Sequence, residues 1–155
     1  MIVIAGLVVS GVTAFPLVYE INLLHAWTSG SALPGPLVEW IAKVHEGLNA
    51  TQRAYPFLAY GTDWLAFGHL VIALFFIGPL IDPVRNVWII RAGQIACILV
   101  IPLALICGEI RGIPLWWRAV DCSFGVFGFL PLWYAHRLIR QLPANAVAPL
   151  GLATK

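Results

Sequence analysis

The sequence WLAFGHLVIALFFIGPLI (Trp64–Ile81) is the first of two long apolar segments that indicate the fold. The second is VWIIRAGQIACILVIPLALIC (Val87–Cys107), and DPVRN at positions 82–86 joins them. A helix rises about 1.5 Å per residue, so each apolar segment is long enough to cross a hydrocarbon core of about 30 Å. Because so few residues separate them, the two segments predict an antiparallel helical hairpin. Asp82 and Pro83 between them are typical of a capped helix start.

Two further apolar segments, Ile2–Leu24 and Leu115–Tyr134, bring the predicted spans to four. The 155-residue chain is 61% hydrophobic and 10% charged, which is too apolar for a soluble domain of this size. Residues 2–24 lack a preceding basic residue and a small-residue cleavage site, so we expect a retained helix rather than a cleaved signal peptide. The predicted fold is all-α: an integral membrane bundle of four transmembrane helices that forms a single domain over residues 1–155.

The segment at 27–62 is the one sizeable piece outside the predicted spans. Its apolar residues recur at helical spacing and are Leu37, Val38, Ile41, Val44 and Leu48. Glu39 and Lys43 lie on the opposite face, which predicts an amphipathic helix in this first, outer loop. The helix either seals the mouth of the bundle or acts as a functional lid.

The orientation of the bundle follows from its basic residues. One face is predicted to carry five of them, namely Arg85, Arg91, Arg137, Arg140 and Lys155. The opposite face carries four, namely Lys43, Arg53, Arg111 and Arg118. We therefore expect both termini in the cytoplasm, the loop outside, and a location in the cell (inner) membrane.

Three predicted spans carry an ionisable residue at a similar depth from the outer face: Glu20, His69 and Asp121. Leaving such groups in hydrocarbon costs several kcal/mol, so they are expected to face the bundle interior. Arg118 precedes Asp121 by three positions and can pair with it on one helical face. The full candidate ligand-binding cluster is Glu20, His25, Asp63, His69, Glu109, Arg111, Arg118 and Asp121.

This cluster has several interpretations. One is an interhelical hydrogen-bond network with a purely structural role. Another is an outward-opening ligand pocket. A third is a metal site built from Glu20, His69 and Asp121, because imidazole and carboxylate both suit zinc or manganese, although no paired histidine motif supports it. The four histidines are expected at different depths, which argues against a haem held by two of them, and the sequence identifies neither a cofactor nor catalytic residues.

The sequence thus predicts a small integral membrane protein with an outward-facing polar cluster. Its role is a non-catalytic ligand-binding protein or an accessory subunit of a larger membrane complex. The alternative is a small intramembrane enzyme, metal-dependent or acid–base, that uses Glu20, His69 and Asp121. The expected partners are the lipid bilayer and membrane-protein subunits, whereas a net charge of +2, scattered along the chain, does not indicate nucleic acid.

Overall fold

A computed structural model describes residues 1–142, and within them every regular element is helical. In chain order the α-helices are α1 (Ile2–Ala14), α2 (Leu17–Thr28), α3 (Gly35–Ala54), α4 (Ala59–Phe75), α5 (Gly78–Ile81), α6 (Val87–Ile110) and α7 (Leu115–Ile139). A short 3-10 turn at Pro56–Leu58 precedes α4. Lys155, which contributed to the argument for orientation, lies outside the described residues.

Within residues 1–142, two segments are long and apolar enough to cross a membrane: Pro56–Ile81, which contains α4 and α5, and Val87–Ile110, which is α6. The pair α1 and α2 makes a third if the two helices count as one span. These findings confirm an all-helical chain with candidate membrane spans, which is consistent with a membrane location. They do not confirm a bundle of four, because α7 is not among the segments that qualify. Arg118, Asp121 and three tryptophans lower its mean hydropathy.

The first predicted span is broken rather than continuous. Between α1 and α2 the helix axis bends by 87°. Pro16 has no backbone N–H to donate and disfavours helical geometry at Phe15, which accounts for the break. The helix resumes when the Glu20 N–H donates to the Pro16 carbonyl over 3.0 Å.

The chain divides into two compact units, of which one is Ala5–Ala73. Within it, α3 packs on α2. Ile41 is only 4% exposed and Ile21 is also buried, whereas Glu39 and Lys43 on α3 are exposed. The helix predicted in the loop is therefore present, with its apolar side turned towards protein. The Asn49 side-chain amide donates to the Asn22 side-chain oxygen over 2.8 Å and joins the two helices further along.

Among the described residues, the other unit comprises Met1–Ile4 and residues 74–142, and its centre is the antiparallel pair α6 and α7. Gly125 on α7 brings the helices close together: a Cβ there would lie 2.5 Å from the Cys97 carbonyl oxygen. Gly112, with φ of 66°, ends α6, and Ile113 donates back to the Gly108 carbonyl over 2.8 Å. This is the left-handed helix ending that favours glycine.

Little of this unit's apolar surface is covered by protein. In an apolar 18-residue stretch of α6, only 11% of the residues are buried. Large side chains of α6 and α7 are exposed, among them Ile98, Leu99, Leu103, Phe124 and Phe127. Water would strongly disfavour so large an apolar surface, so lipid is the solvent that suits it.

Candidate functional site

The Ala5–Ala73 unit contains a half-open pocket of about 490 Å³. It forms where the α1–α2 turn, the end of α3 and the start of α4 meet. Its apolar wall includes Phe15, Pro16, Leu17, Leu48 and Leu58. Its polar residues are Tyr19, Thr51, Gln52, Tyr60, Thr62 and Asp63. An apolar wall with a few polar groups is typical of small-molecule sites.

A second, shallower groove of about 270 Å³ adjoins this pocket and shares Phe15, Tyr60 and Asp63 with it. Trp64 and Phe67 complete its lining. The rings follow one another edge to face, with centroids 6.0 Å apart for Tyr60–Trp64 and 6.1 Å apart for Trp64–Phe67. The two concavities together, here called the Asp63 pocket, therefore combine aromatic rings with one acidic side chain.

Asp63 is half-buried on the first turns of α4. Within residues 1–142 the two ion pairs are Arg85–Asp82 and Arg118–Glu109, so the Asp63 carboxylate forms neither. A carboxylate beside aromatic faces attracts an organic cation in two ways, by its charge and by the ring quadrupoles. This arrangement can hold an ammonium-type group while the apolar wall contacts the rest of the molecule.

His25 and His45 are close together at a different place in the same unit. The imidazole of His25 on α2 stacks on that of His45 on α3, with ring centroids 4.1 Å apart and planes 13° from parallel. Parallel rings point their nitrogen lone pairs alongside each other rather than at a common point. The stack therefore joins α2 to α3 and is poorly shaped to chelate a single metal ion.

His69 and Glu20 make local contacts. His69 Nδ1 lies 2.8 Å from the Leu65 carbonyl oxygen of its own helix and donates a hydrogen bond to it. Glu20 is half-buried in the first turn of α2. Neither residue lines the Asp63 pocket.

In the other unit, Arg118 has a different partner from the predicted one. Its guanidinium pairs with the Glu109 carboxylate at 2.6 Å, and its Nη1 donates to the Leu105 carbonyl over 3.2 Å. No ion pair joins Arg118 to Asp121 among the described residues, so that expected pairing is wrong. Gly108 explains the outcome, because a Cβ there would lie 2.5 Å from Arg118 Cδ. The missing side chain lets the arginine lie across α6, where two acceptors are available.

The remaining cluster residues are Arg111, which caps the end of α6, and Asp121, which is half-buried on α7. The convergence of Glu20, His69 and Asp121 stays a prediction. Over residues 1–142, no group of three His, Cys, Asp or Glu side chains is placed to hold a metal ion.

Sequence reasoning identified Asp63 but missed its neighbours Tyr19, Gln52, Thr51 and Tyr60. The available signal was the aromatic run at 55–60, which resembles an interfacial segment as much as a pocket wall. His45 was missed as the stacking partner of His25, because the two residues come from separate helices.

No protein-family model matches the chain, and neither curated proteins nor solved structures include a significant match. The function therefore has to be argued from the geometry of the chain itself.

Proposed function

We propose that the protein is a non-catalytic integral membrane protein that binds a small amphiphilic organic cation in the Asp63 pocket. The observation that carries the proposal is that Asp63, which has no ion-pair partner among the described residues, lines the same concavities as Tyr60, Trp64 and an apolar wall. A cationic head would lie against Asp63 and the rings, and an apolar tail along Leu48 and Leu58. The enzyme alternative stays a prediction that no contact of Glu20, His69 or Asp121 favours.

The second candidate role is that of a subunit in a larger membrane assembly. It is favoured by the amount of apolar surface on α6 and α7 that the chain itself leaves uncovered. Lipid covers such a surface adequately, so ligand binding remains the leading proposal.

Ligand binding is tested with tetraphenylphosphonium, a lipophilic cation, added to the detergent-purified full chain. We expect saturable binding that quenches tryptophan fluorescence, because Trp64 lines the groove. Asp63→Asn keeps the side-chain volume but removes the charge, and we expect its Kd to rise about tenfold, as for the loss of one partly desolvated charge contact.

The matched control is Glu46→Gln, which removes one negative charge from an exposed position on α3 outside the pocket. Its Kd should stay within about twofold of the unsubstituted chain. Binding that does not saturate, or an equal loss in both variants, would remove the Asp63 pocket as the site.

For the architecture we propose the full four-span bundle in the cell (inner) membrane, with α7 as the fourth span, both termini cytoplasmic and the segment 27–62 outside. The support is the length of α7, whose 25 residues rise about 37 Å, and the basic residues near Arg85 and Arg137.

Cysteine labelling tests this topology in a background where Cys97, Cys107 and Cys122 are replaced by alanine. We expect Gly30→Cys to react with an impermeant maleimide in intact cells. Arg85→Cys should react only after permeabilisation, because it lies on the opposite face. The reverse pattern of labelling would invert the proposed orientation.

A further inference from the structure

Three arginines lie at the end of the α6–α7 pair where α6 begins and α7 ends. Arg91 is near the start of α6, Arg137 is in the last turn of α7, and Arg140 is its C-cap. All three are exposed. In the part of the chain that the structure describes, none of them forms a salt bridge, whereas nearby Arg85 is paired with Asp82.

A half-buried imidazole, that of His136, lies near Arg91 and Arg140. His136 Nδ1 is 3.0 Å from the side-chain oxygen of Gln94, which ties α7 to α6. Its Nε2 is buried and has no hydrogen-bond partner among residues 1–142. His136 lies beyond the predicted span at Leu115–Tyr134, and its burial, with the positive charges of Arg140 and Arg91, lowers its pKa. The neighbourhood is therefore one of uncompensated positive charge.

The helix dipole explains the positions of only two of the three arginines. Cations at the end of α7 interact favourably with the helix dipole, which gives Arg137 and Arg140 a structural reason to be there. Arg91 has no such reason, because it lies at the beginning of α6, where the dipole favours anions. An anionic group outside the chain would balance the charge of all three arginines.

The surroundings of the arginines identify that partner as a lipid. The Arg137 guanidinium lies 5.8 Å from the centroid of the Trp133 ring, and Trp133 itself is exposed. Exposed apolar side chains continue from this point along both helices, including Ile95 and Leu130. A headgroup phosphate at the arginines would place its acyl chains on this apolar surface, whereas a free phosphate ion would leave the surface uncovered.

We propose that Arg91, Arg137 and Arg140 form a binding site for the headgroup of an anionic phospholipid. Tryptophan marks the depth of the membrane interface, and exposed arginines beside it are placed to meet lipid phosphates. The site is separate from the Asp63 pocket and does not depend on the cation proposed there.

The test compares the full-length protein with a triple variant, Arg91→Gln, Arg137→Gln and Arg140→Gln. Each is reconstituted in mixed phosphatidylglycerol and phosphatidylcholine, extracted in mild detergent, and analysed for retained lipid by native mass spectrometry. For the unsubstituted chain we expect retained phosphatidylglycerol to exceed phosphatidylcholine about tenfold, and the triple variant to retain the two about equally.

A charge-matched control carries Lys43→Gln, Arg53→Gln and Arg85→Gln, which removes three positive charges outside the proposed site. We expect it to keep the preference for phosphatidylglycerol. Equal loss in the control and the triple variant would show a general charge effect and overturn the proposal, as would an undiminished preference in the triple variant. If the triple variant does not fold, Arg140→Gln alone replaces it, and an unchanged preference there has the same meaning.

His136 provides a second readout that does not depend on extraction. Bound phosphate would offset the charges of Arg91 and Arg140, so the titration midpoint of the imidazole should rise in nanodiscs that contain phosphatidylglycerol. Inorganic phosphate added to phosphatidylcholine nanodiscs should leave it unchanged. An equal rise with inorganic phosphate would assign the site to a free anion, and no rise with either would remove the site.

Discussion

Gly125→Leu is expected to destabilise the α6–α7 pair by about 3 kcal/mol, at the upper end of what overpacking of a well-packed contact costs. A Cβ at this position would lie 2.5 Å from the Cys97 carbonyl oxygen and 2.6 Å from Val100 Cγ1. The first of these atoms is backbone, so no side-chain rotation relieves the clash and the helices must separate. Unfolding in a graded mixture of mild detergent and SDS, followed by circular dichroism, measures the loss.

Gly68→Leu is the matched control, because it places the same side chain in the middle of another apolar helix, α4. A Cβ there meets nothing within 4 Å. Its effect should stay within about 0.5 kcal/mol, as at most surface positions. Equal destabilisation by both variants would mean that the approach of α6 and α7 at Gly125 is not what holds the pair together.

Gly108→Leu is expected to cost about 2 kcal/mol by displacing Arg118 from its place across α6. A Cβ at Gly108 would come within 2.5 Å of Arg118 Cδ and 2.7 Å of Cγ. The displaced arginine would lose its bond to the Leu105 carbonyl and its pairing with Glu109. The same SDS titration measures the change.

A double-mutant cycle with Arg118→Ala tests the cause. With the long side chain already removed, Gly108→Leu has nothing to displace, so the two effects should overlap by about 1–2 kcal/mol. Simple additivity would show that Gly108 is constrained by something other than Arg118. Glu109→Gln should cost no more than about 1 kcal/mol, since the Glu109 side chain is 72% exposed.

Local patterns in the sequence predicted the helices well. The start of α6 at Val87 agrees with the predicted span. Asp82 does cap a turn, since its Oδ1 accepts the Arg85 N–H over 3.0 Å, although the helix itself begins after Asn86. The helix in the loop was predicted from the spacing of residues such as Leu37 and Ile41. These features depend on residues that are close together in the chain, and for that reason they could be predicted from the sequence.

The features that the sequence did not reveal depend on the direction in which a helix or a side chain points. Proline at position 16 indicates a bend, but hydropathy does not report its angle. The three-residue spacing favoured an ion pair between Arg118 and Asp121, whereas the residue that pairs with Arg118, Glu109, is on another helix. The Asp63 pocket likewise uses three separate segments, so no single run of residues could indicate it.

The break at Pro16 also bears on how the chain enters the membrane. As straight helices, α1 and α2 rise only about 20 Å and 18 Å over their 13 and 12 residues, less than the thickness of the hydrocarbon core. Neither α1 nor α2 alone therefore offers the insertion machinery a segment long enough to span the bilayer. In chain order, the first described segment that is both long and apolar enough to cross a membrane without a sharp bend is Pro56–Ile81, and Val87–Ile110 follows after five residues. Among the described segments we therefore expect this hairpin to integrate into the membrane before α1 and α2.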